Sequence, residues 1–236
     1  MFTGLVKTQG KIRRVDQRGD CIMTIAMRDP FPVEIGDSIA CHGICLTATK
    51  VTGNEFKVSL SAETMARTNA GSWEMGTLIN LEPSLRVGDP MGGHFVSGHV
   101  DGMARALSAE PSGDSMVWVF EVPATLGRFI AAKGSITIDG VSLTVNGVGD
   151  SREITATDTN PNPSSDPRSP QGEPLAPGVS EAKGTRSPST KTIFTVNIIP
   201  HTASVTCFDS LHVGTLVNIE IDMLARYVAR LQEVGR

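Results

Sequence analysis

A large excess of charge of either sign is absent from this chain. Its 21 Lys and Arg oppose 25 Asp and Glu, a net charge of −4, and no block of like charges stands out. That leaves no electrostatic footprint for a polyanion or an anionic bilayer, so neither nucleic acid nor membrane is expected as a partner. Long apolar runs are also missing. No stretch approaches the ~18–20 residues of a membrane span. The opening Met1-Phe2-Thr3-Gly4-Leu5-Val6-Lys7 is too polar for a secretory leader, and a soluble cytoplasmic protein is expected. Cysteine is sparse: Cys21 and Cys207 are isolated, and Cys41 and Cys45 lie four apart. One such pair is a poor match to zinc-ligand spacing. No metal is expected, and Cys21, Cys41 and Cys207 read as reduced, partly buried thiols.

What the chain does have is a repeat. Phe2-Thr3-Gly4-Leu5-Val6 returns 94 positions later as Val96-Ser97-Gly98-His99-Val100. Cys41-His42-Gly43-Ile44-Cys45-Leu46-Thr47 returns 97 positions later as Ile138-Asp139-Gly140-Val141-Ser142-Leu143-Thr144. Gly76-Thr77-Leu78-Ile79-Asn80-Leu81-Glu82 returns 138 positions later as Gly214-Thr215-Leu216-Val217-Asn218-Ile219-Glu220. Three colinear blocks establish a duplication. The jump in offset places an insertion in the second copy, at about 150–191, rich in Pro, Ser and Gly. Such a segment buries too little apolar surface to offset its ordering entropy, so a disordered surface excursion is expected, with a functional lid as the alternative. Its ends must lie close together, because Thr52-Gly53-Asn54-Glu55 joins the matching strands of the first copy.

Each copy carries short segments rich in β-branched residues, such as Cys21-Ile22-Met23-Thr24-Ile25 and Ser135-Ile136-Thr137-Ile138, punctuated by Gly, Asn and Asp. A unit of this size with roughly six strands predicts a small closed barrel, which exposes no sheet edge. The expected organisation is one barrel over 1–90, a second over 96–222 and a helix over 223–236. Helical turns are also expected after Pro123 and near Glu63–Arg67. Leu224, Tyr227, Val228, Leu231 and Val234 make a narrow apolar seam on the last helix, one that must pack on its own barrel or on other subunits.

The informative positions are those where the copies share a frame and differ in polar residues: Cys45 against Ser142, His42 against Asp139, and Leu5 against His99. Two pockets of like shape and different chemistry would show this pattern. Each residue also has a plain structural reading: a buried thiol for Cys45, a turn for Asp139-Gly140, a core histidine for His99.

Three segments resemble riboflavin synthase closely: Met1–Val6, Met91-Gly92-Gly93-His94-Phe95-Val96-Ser97-Gly98-His99-Val100-Asp101, and Asp139–Thr144. So do Asn218–Asp222 and the repeated Glu63-Thr64 and His201-Thr202. The insertion stands outside the resemblance. The resemblance implies an all-β fold of two tandem six-stranded Greek-key barrels related by internal duplication, plus a C-terminal α-helix through which homotrimers form. Each barrel would bind one 6,7-dimethyl-8-ribityllumazine, and four carbons would pass from one to the other without metal, flavin or nicotinamide. The active site would lie between the first barrel of one subunit and the second barrel of a neighbour. An association with lumazine synthase is a further implied partner. The implied catalytic set is His99, Ser142, Cys45, Asp139, Asp222 and Phe2. Substrate contacts are implied for Thr3, Gly4, Val6, Ser38, Thr47 and Ser61–Thr64, including Ala62 and Glu63. They are implied also for Gly98, Val100, Thr144 and the segment Ile199-Pro200-His201-Thr202. A non-catalytic lumazine- or flavin-binding antenna of the same fold, and a purely structural tandem barrel, are the rival readings.

Overall fold

The computed structural model describes residues 1–17, 20–150 and 191–234. Twelve strands close into two barrels. The first uses β1 (Thr8–Asp16), β2 (Cys21–Met27), β3 (Ser38–Cys41), β4 (Ile44–Thr52), β5 (Glu55–Leu60) and β6 (Leu78–Pro83), paired in the order β1-β2-β5-β4-β3-β6. The second uses β7 (Gly102–Ser112), β8 (Ser115–Val122), β9 (Ser135–Ile138), β10 (Val141–Asp150), β11 (Thr192–Ile198) and β12 (Leu216–Ile221). Its order, β7-β8-β11-β10-β9-β12, is the same Greek-key circuit. Every ladder is antiparallel. The repetition extends to irregularities: register shifts at Ile12/Arg14 and Ala48/Lys50 recur at Ala106/Ser108 and Val145/Gly147. Bulges re-aim a strand and sharpen its twist, which a six-stranded barrel needs at its corners.

Inward-facing residues fill each barrel. Ile12, Met23, Ile25, Phe56, Val58 and Ile79 are essentially inaccessible in the first, as are Phe120, Ile138, Phe194, Val196 and Ile219 in the second. Phe120 and Phe194 stack with ring centroids 5.5 Å apart. Burial of such side chains stabilises by about 1.5–3 kcal/mol each. The aliphatic bulk compensates for the few aromatics.

The expected helical turns are short. α1 spans Ala62–Arg67 and α2 only Ala124–Gly127, while α3 (Pro200–Val205) is the counterpart of α1. Thr192 pairs with Asp150, so the insertion leaves and re-enters the barrel at one place. The disorder expected of the inserted segment itself lies outside the described residues.

The last helix, α4 (Met223–Val234), follows directly from β12. Asp222 Oδ1 accepts the Leu224 N–H at 2.9 Å and starts it. Asp101 Oδ2 accepts from Ile221 N and Arg226, and Arg128 meets Glu233 at 3.1 Å, holding it to the second barrel. These ties are polar. Leu224, Tyr227, Val228 and Leu231 remain 55–73 % exposed, so the barrel beneath does not cover the seam. No helix among the described residues is long and apolar enough to cross a membrane.

Candidate functional site

The two copies exchange their leading segments. Residues 1–6 run from the first barrel to the second, where the Gly4 carbonyl accepts the Ser142 N–H at 2.8 Å and Val6 packs on the second core. Residues 95–100 make the reverse journey: the Gly98 carbonyl accepts the Cys45 N–H at 2.8 Å and Val100 packs on the first core. The segments bridge each other as they cross, Phe2 N to Val96 O at 2.7 Å and Val96 N to Phe2 O at 3.1 Å. Glycine is required at both crossings. A Cβ on Gly4 would sit 2.6 Å from that of Ser142, and one on Gly98 would sit 2.6 Å from that of Cys45; both φ angles are near +77° (76° and 78°).

Carboxylates anchor each segment. Glu82 accepts from Thr3 N, Thr3 Oγ1 and Gly4 N at 2.7, 2.8 and 3.0 Å; Glu220 accepts from Ser97 N, Ser97 Oγ and Gly98 N at 2.6, 2.6 and 2.8 Å. Burial raises the pKa of Glu82, against the opposing pull of those donors.

The exchange builds a pocket of about 380 Å³ on the outside of the first barrel, a volume suited to a small molecule. Cys45 forms its floor with Ile44; Ser61, Glu63, Thr64, Arg67 and Thr68 come from α1 and its ends; Gly98, His99 and Val100 come from the other repeat. The local sequence explains α1. Ser61 caps it, its Oγ accepting the Thr64 N–H at 3.1 Å, and Glu63 pairs with Arg67 one turn on at 3.2 Å. Seven of the residues named from sequence therefore meet here: Cys45, Ser61, Glu63, Thr64, Gly98, His99 and Val100. Ile44, Arg67 and Thr68 were not foreseen; the Glu63–Arg67 spacing was the available signal for Arg67. His99 is exposed and free of the core. Thr47 and Ser38 face each other in the β3–β4 register on the same outward side as Cys45. Ala62 lies exposed on α1.

Behind Cys45 the surroundings are apolar: Phe2, Ala40 and Val96 form a small buried cluster on which it packs. Phe2 is thus fully buried and backs the pocket.

The equivalent surface of the second barrel gathers Ser142 and Thr144 on β10, and Ile199, Pro200, His201 and Thr202 at the start of α3. Gly4, Leu5 and Val6 arrive from the first repeat. Leu5 stands where the first pocket has His99. The backing is polar: His94 Nδ1 lies 2.7 Å from Ser142 Oγ, and its Nε2 lies 3.1 Å from Thr137 Oγ1.

His42 and Asp139 go elsewhere. Each begins a two-residue hairpin turn, with φ of 52° and 47°, followed by Gly43 and Gly140 with φ of 84° and 80°. The two turns meet tip to tip between the barrels: a Cβ on Gly43 would fall 2.7 Å from Gly140 N. Around them runs a near-symmetric network. Asn80 Nδ2 donates to Asp139 O and Asn218 Nδ2 to His42 O, at 2.8 and 2.9 Å. Asn80 Oδ1 accepts from Cys207 N and Asn218 Oδ1 from Asn69 N, both at 2.8 Å. The Asn218 N–H donates to Asp139 Oδ1 at 2.7 Å, and the Asn80 N–H donates to His42 Nδ1 at 3.1 Å. His42 therefore imitates a carboxylate oxygen at Nδ1 and offers Nε2 to Asp139 Oδ2 at 3.3 Å. Two aspartates there would oppose two charges; His and Asp complement each other. Burial works against a charge on His42 while Asp139 works for one, and the carboxylate prevails, raising the pKa. Yet Nδ1 is already an acceptor, so the ring seen here carries its one proton on Nε2. The pair is buried and lies apart from the Cys45 pocket; Asp139 is 6 % exposed. Asp222 is placed at the head of α4 rather than in that pocket.

Among the described residues no group of three or more His, Cys, Asp or Glu side chains is arranged to hold a metal ion.

A duplicated barrel with exchanged segments and a pocket formed at their crossing defines a class, and the chain matches it: the lumazine binding domain model covers residues 3–84 and 97–160. The riboflavin synthase of Brucella abortus is 37 % identical over 99 % of this chain and 98 % of its own length. That of Mycobacterium tuberculosis is 33 % identical over 98 % of both. The chain belongs to the riboflavin synthase family and is an enzyme. The same fold occurs in a crystal structure of LumP complexed with 6,7-dimethyl-8-(1'-D-ribityl)lumazine, with a TM-score of 0.65 and 20 % identity over 94 % of this chain and 99 % of that one.

Proposed function

We propose that this protein converts two molecules of 6,7-dimethyl-8-ribityllumazine into riboflavin and 5-amino-6-ribitylamino-2,4(1H,3H)-pyrimidinedione by four-carbon transfer. The observation that carries the proposal is the meeting of Cys45 and His99, from different repeats, in one pocket, while the corresponding surface of the other barrel offers Ser142 and Leu5. Identical substrates in unlike surroundings can meet different fates. One lumazine must lose a proton from its C7 methyl, and the other must accept a nucleophile. His99 has the imidazole needed for proton transfer near neutrality. Cys45, or a water beside it, supplies the addition. Ser61, Thr64 and the Ile199–Thr202 turn offer polar groups to the heterocycle, and Thr47, Ser38 and Thr144 flank it. Much of the acceleration comes from holding two flat rings in register.

The two surfaces of one chain lie on different barrels, so the reacting pair is assigned to a contact between subunits. The uncovered seam of α4, Leu224, Tyr227, Val228 and Leu231, supports a homotrimer formed through these helices. Asp139 serves by fixing the hairpin turns that carry Cys45 and Ser142, and Asp222 by starting α4 beside His94. No metal, flavin or nicotinamide is assigned a role, and a cytoplasmic setting and an association with lumazine synthase belong to the same reading.

Incubation with dimethylribityllumazine tests the proposal: riboflavin fluorescence should rise as the lumazine is consumed. Tight binding with no riboflavin would favour an antenna protein, a reading suggested by the LumP likeness. Truncation before Leu224 should break the assembly and slow turnover; a truncated monomer with full activity would sink the between-subunit site.

A further inference from the structure

The segment 92–99 carries two histidines, and the reaction proposed above uses only the second. His94 lies just ahead of the repeated block Val96–Val100, and its contacts are with the second barrel. It is positioned on both sides. Its N–H donates to Thr3 O at 3.1 Å, in the arm arriving from the other repeat. Gly93 next to it lies against the same arm, where a Cβ would fall within 3.1 Å of Ser142 Oγ. The bare glycine lets the segment settle on Ser142, and the ring of His94 then reaches two hydroxyls, Ser142 Oγ at 2.7 Å and Thr137 Oγ1 at 3.1 Å. Thr137 is Ser142's partner across the β9–β10 ladder. In the first barrel these two places are held by Ala40 and Cys45, also ladder partners, and nothing there can make the chain.

We propose that His94 is a positioning residue of the Ser142 surface, which holds the Ser142 hydroxyl in a Ser142–His94–Thr137 chain and lets it serve a bound ligand as donor or as acceptor. The proposal rests on the four-carbon transfer proposed above and deepens it. A neutral imidazole has one donor and one acceptor nitrogen. With the proton on Nε2, the ring donates to Thr137, and Ser142 donates to Nδ1 and turns lone pairs to the ligand. With the proton on Nδ1, the ring donates to Ser142, whose own hydrogen then points outward, and Thr137 donates to Nε2. Passing from the first state to the second moves the Ser142 hydrogen to Nδ1 and the Nε2 hydrogen to Thr137, and it balances when the ligand or a water gives Ser142 a proton and Thr137 releases its original one. The charged groups acting on the ring are Asp222 at the head of α4 and Glu220 on β12; burial outweighs their pull and lowers its pKa, which keeps the ring neutral as the chain requires. The first pocket has no such device: its Cys45 rests on Phe2, Ala40 and Val96. One short segment thus equips both surfaces, with exposed His99 at Cys45 and enclosed His94 at Ser142.

The test is a double-mutant cycle on the full chain with 6,7-dimethyl-8-ribityllumazine, comparing His94→Ala, Ser142→Ala and the double variant. His94→Ala should lower kcat about tenfold or more, in the range of lost proton-handling groups, with KM changed less than about threefold. The double variant should be no slower than the slower single variant, because the two residues act as one unit. His94→Gln, whose amide again offers a donor and an acceptor, should recover part of kcat; it also stands in should the alanine variant not fold. Unchanged kcat in His94→Ala, or losses that multiply in the double variant, overturns the proposal. Failure of the reaction reading is separate and shows first, as wild-type protein that makes no riboflavin. In that event the same cycle is read in the Kd for the lumazine, where coupling below about twofold between the two positions overturns it.

Discussion

The Cys45 and Ser142 surfaces share a backbone and differ in what lies behind it. Cys45 and Ser142 occupy the same place in the same hairpin, and each receives a glycine carbonyl from the other repeat at 2.8 Å. Behind Cys45 the chain places Phe2, Ala40 and Val96; behind Ser142 it places His94 and Thr137. A thiol on an apolar backing keeps its reactivity for whatever lies in front. A hydroxyl tied to an imidazole becomes an adjustable donor and acceptor. Duplication thus preserved the scaffold, and the side chains behind Cys45 and Ser142 were free to diverge.

The tie between the barrels gives the largest expected effect. His42→Ala leaves the Asp139 carboxylate buried without the imidazole, which should cost about 3 kcal/mol or more, a fall in Tm of roughly 6–12 °C for a chain of this size. If the halves are equivalent there, the exchanged pair His42→Asp with Asp139→His should regain most of that loss, because each side chain only has to accept the Asn N–H and meet the other. Melting curves of the three proteins check this. Turnover should return together with stability in the exchanged pair; recovery of melting alone would give Asp139 a part in the chemistry.

Somewhat smaller effects are expected at the crossing glycines. Alanine at Gly98 or Gly4 brings its Cβ to 2.6 Å from Cys45 or Ser142 and takes a left-handed φ. Each should destabilise by about 2–4 kcal/mol. Gly98→Ala should strip the first pocket of His99, whereas Gly4→Ala should disturb Ser142 and leave the first pocket able to bind. Lumazine titrations of the two variants sharpen the comparison; equal loss of both sites in each would erase it.

Much of this arrangement is legible in the sequence. The offsets of 94, 97 and 138 imply a common strand order in the two copies, while the paired bulges appear only in the ladders. Short β-branched segments between glycine turns imply barrels. The exchange of segments was not legible. Thr3-Gly4 and Ser97-Gly98 carry no local sign of the barrel on which they dock, since the identical backbone bonds can form either way. Only tertiary contacts, Val6 in one core and Val100 in the other, show the choice. For that reason His99 could not be assigned to Cys45 from the chain alone. His42 and Asp139 were expected to mark the pockets because they diverge, but complementarity across a pseudo-two-fold axis makes side chains diverge too. His94 lies in the segment that resembles the family but was given no role, because the repeated block begins only at Val96.

The anchoring carboxylates come next in size. Glu82→Gln and Glu220→Gln each replace one acceptor oxygen by an amide that meets N–H groups, and each should cost about 1–3 kcal/mol. Glu82→Gln should loosen residues 1–6 and with them the Ser142 surface; Glu220→Gln should loosen residues 95–100 and the Cys45 pocket. Hydrogen exchange of the Ser142 and Cys45 amides, which are bonded to Gly4 and Gly98, reads the two separately. Loss of protection at the wrong amide would show that the anchors do not control the crossings in this way.

The smallest effect concerns acid. In the folded chain His94 has its pKa lowered from 6.5, burial outweighing Asp222 and Glu220. The unfolded chain therefore takes up the proton first. The fold suffers no loss from this group above about pH 6.5, and stability declines as pH falls from there toward the depressed folded value, below which the loss levels off. His94→Gln cannot bind the proton in either state, so its stability should be flatter than wild type across that window, by no more than about 1 kcal/mol for a half-buried group. Chemical denaturation at several pH values between about 5 and 8 measures the difference. A slope that His94→Gln leaves unchanged would mean that this ring is not enclosed against Ser142 and Thr137 as its contacts imply, and the contrast between the two surfaces would fall with it.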